Sequence, residues 1–121
     1  MNDTFNVRGI RGATTVAENS AAKIIAETGA LLKELAAQNN IASGDIAAVF
    51  FSATADLNAA FPAKAARQIM GWHEVPLFCQ VEIDVPDALK RCIRVLILIN
   101  TDIPQDKIAH VYLKESVCLR S

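Results

Sequence analysis

The stretch CIRVLILI, residues 92–99, is dense in β-branched and aliphatic side chains and predicts a strand over Arg91–Asn100. The run from Ile46 to Ala53 is continuously apolar and of strand length, so we expect a strand that is buried on both faces. Three further strands are predicted at Phe5–Ile10, Leu77–Ile83 and His110–Leu119. Together these segments predict a β-sheet.

Two helical patterns separate the first three strands. An N-cap at residues 18–20 precedes apolar residues that recur at helical spacing to about Gln38, which predicts one long amphipathic helix. Pro62 suits the first turn of a shorter helix that reaches about Met70. The order β-α-β-α-β-β-β predicts one domain over residues 1–121, of the α/β (α+β) class, with a mixed sheet packed against the long helix.

Composition narrows the class of partner. The chain has 121 residues, with 12 Lys+Arg against 13 Asp+Glu and a formal net charge of −1. With this balance the chain has no excess of positive charge to bind a phosphate backbone, so we expect no nucleic-acid partner. Apolar residues make up 52% of the chain and charged residues 21%. For so small a domain this balance suggests that part of the surface is buried against other copies of the chain.

The cysteines and the apolar runs bear on the compartment. Cys79, Cys92 and Cys118 are odd in number and match no zinc spacing, so we interpret them as free thiols in a reducing cytosol. The N-terminal MNDTFNVRG lacks the basic and apolar regions of a secretory signal. The longest apolar runs fall well short of the ~20 residues of a membrane helix. We therefore expect a cytoplasmic protein that does not enter a membrane.

Two charged residues interrupt the strand patterns. Arg94 lies inside CIRVLILI, and Glu82 lies inside FCQVEID. An unpaired buried charge costs several kcal/mol, so each residue either lies at an edge or strand end, or serves a polar pocket. The two have opposite signs and lie on strands that we expect to be adjacent, which favours a pocket walled by the sheet. Arg94 would bind an anion there, and Glu82 would bind a donor.

Other side chains could also contact an anion, although ordinary solvated or packed positions explain each of them better when it is taken alone. The string RGIRGATT, Arg8 to Thr15, predicts a turn because of its two glycines, and this turn would aim Arg11 at a ligand. No nucleophilic triad, phosphate-binding loop or metal-ligand cluster appears, and the isolated His73 and His110 receive no role. The remaining candidates are Tyr112, Lys64, Arg67 and Arg120.

Five motifs of the sequence, taken together, point to one known protein family. They are RGIRGATT (8–15), SATADLNAAFPAKAAR (52–67), the spacing from Cys79 to Glu82, KRCIRV (90–95) and TDIPQDKIAHVYL (101–113). In order and spacing they closely resemble the small monofunctional chorismate mutases of the trimeric α/β-barrel class. The resemblance runs in register from about Asn6 to Arg120.

This resemblance implies a homotrimer whose sheets form a barrel-like core, with active sites in the clefts between subunits. It implies the [3,3] rearrangement of chorismate to prephenate, on the route to phenylalanine and tyrosine. That reaction needs no cofactor, no metal and no covalent intermediate.

The resemblance also implies roles for individual residues. Arg94 would donate to the ether oxygen of the substrate, where negative charge develops as the C–O bond breaks. Glu82 would accept from the ring hydroxyl and face the developing positive charge. Arg11 and Tyr112 would hold the side-chain carboxylate. Cys79 would touch the ring hydroxyl through its main-chain N–H, because strand parity places its thiol on the face opposite Glu82.

A second group of matching positions would come from the neighbouring subunit or from the chain terminus. The neighbour would contribute Phe61, Ala63, Lys64 and Arg67, with Phe61 against the ring and the two cations at the mouth. Leu77 is a further lining position, and Phe78 departs from the family pattern, which favours a small polar residue there. A C-terminal tail carrying Leu119 and Arg120 would close over the site.

Two other functions remain open on the sequence. A trimeric enamine or imine hydrolase of similar architecture would use Arg94 to hold a carboxylate and Glu82 to activate water. A non-catalytic sensor of small carboxylates would bind through Arg11 and Arg94 without reaction. A sensor has little use for a carboxylate beside its anion site, so the Glu82–Arg94 pair favours an enzyme.

Overall fold

The secondary structure follows the predicted order of strands and helices. A computed structural model describes residues 6–120, so that Phe5, the predicted start of the first strand, lies outside the described residues. The strands are β1 (Asn6–Thr15), β2 (Ile46–Ala53), β3 (Leu77–Val81), β4 (Cys92–Thr101) and β5 (Val111–Tyr112). The helices are α1 (Ala21–Asn39) and α2 (Ala63–Gln68), with short 3-10 segments at Ser43–Asp45, Gln105–Lys107 and Lys114–Arg120.

The strands form one mixed sheet in the order β3-β2-β4-β1-β5. Strand β4, which contains CIRVLILI, runs antiparallel to both of its neighbours, β1 and β2. The two outer pairs, β2 with β3 and β1 with β5, are parallel. The mixed α/β class expected from the sequence is confirmed.

The two faces of the sheet differ in burial. One face packs on α1: Ile93, Val95 and Ile97 of β4 join Leu32 and Leu35 of the helix in the apolar core. The other face, called the open face below, includes these partly or fully exposed side chains: Arg11, Phe50, Ser52, Gln80, Arg94 and Leu96. The prediction that β2 is buried on both faces is therefore wrong for this chain, in which only alternate residues such as Val49 and Phe51 are fully enclosed.

The string RGIRGATT does not form a turn, and one of its two glycines serves close packing. Strand β1 continues through this string to Thr15, so the predicted turn is wrong. A Cβ built on Gly12 would lie 2.7 Å from Leu35 Cδ1 and 3.2 Å from Leu31 Cδ1. A side chain at this position would force the ends of these two leucines on α1 to shift, so glycine suits the close packing of α1 on β1.

The chain after β5 also departs from the prediction. The expected strand His110–Leu119 ends after Tyr112, because Lys114 adopts a left-handed φ of 53° and the chain turns into a 3-10 segment. Ser116 is buried in this segment, and its hydroxyl donates to the Leu113 carbonyl at 2.6 Å. The turn brings Leu119 back over the open face.

Helix α1 begins where the predicted N-cap places it. The Ser20 hydroxyl accepts from the Lys23 backbone N–H at 3.1 Å, which satisfies one of the free donors of the first turn. Over residues 6–120, no helix has both the length and the apolar character needed to cross a membrane.

Candidate active site

A cleft of about 420 Å³ lies on the open face. Four residues singled out from the sequence line it, namely Arg11, Arg94, Tyr112 and Leu119. Strand geometry accounts for this convergence, because residues aligned across neighbouring strands share a face. The cleft therefore combines two guanidinium groups, a phenol and an apolar wall.

Arg94 reaches the open face because of its position in β4. Ile93 and Val95 point into the core, so the residue between them points away from it. Its Cα partners are Ser52 on β2 and Ala13 on β1, and Ala13 in turn pairs with Tyr112 on β5. Ala13, which separates Arg94 from Tyr112 in this row, is itself fully buried.

Arg94 and Glu82 form a two-pronged ion pair. Arg94 Nε donates to Glu82 Oε2 at 2.8 Å, and Nη2 donates to Oε1 at 3.0 Å. The two charges that interrupt the predicted strands thus contact each other. The expectation that they lie on adjacent strands is wrong, because β2 lies between β3 and β4 and Glu82 follows the end of β3 at Val81. Ser52 of β2 fills the gap, and its hydroxyl donates to Glu82 Oε2 at 2.6 Å.

These contacts fix the ionisation of both partners. The hydrogen bond from Arg94, assisted by that from Ser52, lowers the pKa of Glu82 to about 2, against partial burial, which acts in the opposite direction. The same carboxylate raises the pKa of Arg94. Arginine carries five N–H donors, and Glu82 takes two of them, so the guanidinium is oriented and still has free donors. Its side chain is 51% exposed, and those donors are accessible from the cleft.

The ion pair predicts an acid-dependent stability. The folded-state pKa of Glu82, about 2, lies below its ordinary 4.5, so ionised Glu82 stabilises the folded chain above pH 4.5. That contribution is lost as the pH falls from 4.5 through 2. We expect Glu82→Gln to lower the free energy of unfolding by about 1–2 kcal/mol near neutral pH, since half of Arg94 lies in water and screening weakens the pair.

Urea unfolding at a series of pH values measures this effect. The difference between wild type and Glu82→Gln should shrink as the pH falls toward 2. Glu74→Gln, which neutralises an exposed glutamate in the loop before β3, is the matched control and should show no such convergence. A constant difference at every pH would contradict the assignment.

The backbone of Arg11 is hydrogen-bonded, whereas its side chain is exposed. Its N–H donates to Nδ1 of His110 at 2.9 Å. Burial, together with the nearby charge of Arg11, lowers the pKa of His110. Arg11 and Arg94 thus reach the same cleft from adjacent strands, at positions suited to two separate anionic groups.

A second cleft, of about 570 Å³, holds a different part of the expected site. Phe61, Lys64 and Cys79 line it, and Gln80 lines both clefts. Burial raises the pKa of the Cys79 thiol, although a hydrogen bond from the Ala63 backbone and the charge of Arg67 act in the opposite direction. The thiol therefore stays protonated, and it packs toward the core on the face opposite Glu82, as strand parity predicts.

The remaining predicted residues lie outside both clefts. Leu77 packs against the apolar core. Phe78 is 56% exposed and meets Phe50 edge to face, with ring centroids 6.2 Å apart. Arg120 is exposed at the end of the last 3-10 segment. The buried Ala63 and the exposed Arg67 of α2 also line neither cleft, and Glu82 reaches the first cleft only through its contact with Arg94. The structure thus places seven of the predicted residues in the two clefts.

Sequence reasoning missed three polar contributors. Ser52 was visible as the only hydroxyl within the apolar run of β2, and Gln80 shares the strand parity of Glu82. His110 gave no signal, because the contact that it makes joins residues 99 positions apart in the chain.

Residues 7–121 match the family described as Chorismate mutase type I. The chain belongs to this family. It is 47% identical to chorismate mutase AroH of Bacillus subtilis (strain 168) over 114 residues, which cover 94% of this chain and 90% of that protein. It is 54% identical to chorismate mutase AroH of Thermus thermophilus over 115 residues, covering 94% and 93%.

The fold comparison agrees. A solved chorismate mutase from Clostridium thermocellum superposes with a TM-score of 0.89 at 51% identity, covering 91% of this chain and 97% of that one. Membership in the chorismate mutase family, inferred from the sequence strings, is confirmed by these matches.

Proposed function

We propose that this chain is a chorismate mutase, an isomerase that converts chorismate to prephenate in the biosynthesis of phenylalanine and tyrosine. The observation that carries the proposal is the Arg94–Glu82 ion pair, held on the open face of a chain that belongs to the chorismate mutase family. The whole chain acts as one catalytic domain, and the catalysis needs no cofactor or metal.

Binding selects the reactive shape of the substrate. Chorismate carries two carboxylates, and it must fold so that its side chain lies over the ring before the new bond can form. Arg11 and Tyr112 hold the side-chain carboxylate, and Leu119 covers it from the tail. Cations at fixed positions bring the reacting carbons together, which lowers the entropic part of the barrier.

Arg94 stabilises the transition state. As the C–O bond breaks ahead of C–C formation, the ether oxygen gains negative charge. The free N–H groups of Arg94 donate to that oxygen, and they do so more strongly in the transition state than in the bound substrate. Such a differential interaction accelerates the reaction. Glu82 prevents the guanidinium from rotating away from this position.

Glu82 acts as an anion in this scheme and not as a base. It accepts from the ring hydroxyl and balances the positive charge that develops on the ring. A general base for hydrolysis works best with a pKa near the working pH, whereas Arg94 holds the pKa of Glu82 at about 2. This value weighs against the enamine or imine hydrolase.

A homotrimer with shared active sites is part of the proposal. Side chains left exposed in the single chain include Phe61, Phe78 and Leu96, which are 69%, 56% and 38% exposed. Covering such apolar surface favours association. The neighbour then supplies Phe61, with Ala63, Lys64 and Arg67 of α2, to the cleft that holds Arg94. Cys79, Leu77 and Phe78 lie beside the ring, and Arg120 closes the entrance. The protein works in the cytoplasm.

The test is direct. Chorismate is added to the purified chain in buffer containing EDTA, and the loss of its ultraviolet absorbance is followed together with the appearance of prephenate. Turnover without added metal or cofactor supports the proposal. Binding of chorismate without turnover would support the sensor instead, and release of ammonia from an enamine substrate would support the hydrolase. No acceleration over buffer would refute the proposal.

A further inference from the structure

Side chains, and not a neighbouring strand, form the hydrogen bonds at the edge of β1 beside Arg11. Within residues 6–120, strand β5 pairs with β1 only at Gly12 and Ala13, so the β1 backbone at Arg11 pairs with no strand on that side. The Arg11 N–H instead donates to His110 Nδ1 at 2.9 Å. The imidazole therefore occupies the place where a carbonyl of a longer β5 would accept this hydrogen bond.

The segment that carries His110 is anchored from the opposite side. Asn39, buried at the end of α1, donates from Nδ2 to the Ala109 carbonyl at 2.8 Å, and its Oδ1 accepts from the Ala109 N–H at 2.9 Å. Earlier in the same connection, the Gln105 side chain makes a matching pair with the N–H and carbonyl of Gly9 at 3.0 and 2.7 Å. The imidazole is thus held against β1 by fixed contacts on both sides.

This hydrogen bond imposes a protonation state. Nδ1 can accept only when it carries no proton, so the imidazole is neutral with its proton on Nε2. Protonation turns Nδ1 into a donor that faces another donor, and it places a positive charge beside the Arg11 guanidinium. The lowered pKa of His110, caused by burial and by Arg11, agrees with a neutral ring near pH 7.

We propose that His110 is a positioning residue for Arg11: its neutral imidazole fixes the backbone from which the guanidinium meets the substrate carboxylate, and its protonation weakens substrate binding. The inference rests on the proposed function, since it assigns Arg11 to that carboxylate. His110 does not itself touch the substrate and acts only through Arg11.

Other ionisable groups lie on the segments next to the imidazole. On β1 they are Arg8 and Arg11, and guanidinium groups stay protonated at every pH at which the chain is folded. Arg8 Nε donates a hydrogen bond to the Ile103 carbonyl at 3.0 Å. Because burial and Arg11 lower the pKa of His110 below its ordinary 6.5, a KM change on the acid side of that value is assigned to His110. Further ionisable groups on the adjoining segments are Asp106, Lys107 and Tyr112.

The experiment follows the KM and kcat of chorismate turnover from about pH 5 to about pH 8. Near pH 8, His110→Ala should raise KM about five- to tenfold and leave kcat within about twofold, because it removes one backbone hydrogen bond beneath a binding group. His110→Asn should restore KM, since Oδ1 of asparagine can take the place of Nδ1 as acceptor. His73→Asn, which changes the other histidine at an exposed position, is the matched control.

The pH profile separates positioning from a purely structural role. Wild-type KM should rise as the pH falls below 6.5 and should reach about five- to tenfold once the ring is protonated, whereas KM of His110→Asn should stay flat because an amide does not titrate. A wild-type KM that falls at low pH would show the imidazolium acting as an extra cation for the anion, and would overturn the inference. The same profile in wild type and His110→Asn would also overturn it.

Two further results remain decisive. If His110→Ala fails to fold, the wild-type and His110→Asn profiles decide the question by themselves. If the wild-type chain does not turn over chorismate, the proposed function fails, and an NMR titration still tests the contact. The Arg11 amide signal should then titrate with the His110 ring in wild type and not in His110→Asn; an Arg11 amide that ignores the ring would refute the contact.

Discussion

Arg94→Ala lowers kcat by at least about 10²- to 10³-fold, which is the usual loss when one preorganised donor is removed from a developing oxyanion. In the proposed mechanism the loss falls mainly on kcat, because the free N–H groups of Arg94 interact most strongly with the ether oxygen in the transition state. The proposal leaves Arg11, on the adjacent strand, to hold a substrate carboxylate, so KM should change less than kcat.

Arg94→Lys rescues little of this activity. An ammonium is a point charge, and it cannot both reproduce the two-pronged contact with Glu82 at 2.8 and 3.0 Å and reach the ether oxygen. The order of kcat should therefore be wild type, far above Arg94→Lys, with Arg94→Ala at or below the lysine variant. A lysine variant with nearly full activity would mean that charge alone is sufficient.

The measurement is steady-state turnover of chorismate, accompanied by circular dichroism to establish that each variant folds. Lys33→Ala, which removes a positive charge from the exposed side of α1, is the control for net charge and should retain wild-type kcat. Near-normal turnover in folded Arg94→Ala would mean that this guanidinium does not face the reacting oxygen.

The sequence was informative where a charged residue interrupts an apolar strand. Arg94 inside an apolar strand and Glu82 near the end of another could be read as a pair, because neither belongs in a buried strand without a partner. Their connection through Ser52 could not be predicted, because it depends on β2 lying between their strands. Strand order is a long-range property that the periodicity of single segments does not encode.

Local rules failed where a long-range contact decided the conformation. Two glycines in RGIRGATT are typical of a turn, yet the close approach of α1 over Gly12 explains one of them within a strand. The sequence of His110–Leu119 predicts a strand, but the left-handed conformation of Lys114 turns the chain soon after β5. The sequence also could not show that its two groups of site residues occupy separate clefts.

Mixing two inactive variants should restore activity. In the proposed trimer, each active site takes Arg94 from one subunit and Arg67 from its neighbour. Arg94→Ala and Arg67→Ala chains each lack one half of every site, so homotrimers of either variant turn over poorly. A mixed trimer regains an intact site wherever an Arg67→Ala chain supplies Arg94 to a cleft in which an Arg94→Ala chain supplies Arg67.

The size of the recovery follows from chance pairing. With equal amounts and free exchange, each half of a site is intact with even odds, so about one quarter of the sites, and about one quarter of wild-type activity, should return. The chains are coexpressed with different affinity tags, and native mass spectrometry verifies the mixed trimers. Arg94→Ala mixed with the double variant Arg67→Ala/Arg94→Ala is the control, because no site in that mixture regains Arg94.

The separation of the two clefts makes this outcome decisive. Phe61 and Lys64 line one cleft, whereas Arg94 and Arg11 line the other. If both groups served one site within a single chain, every chain in the mixture would carry a defect in its own site, and verified mixed trimers would stay inactive. Recovery therefore requires that the guanidinium on β4 and the cation on α2 meet across a subunit boundary.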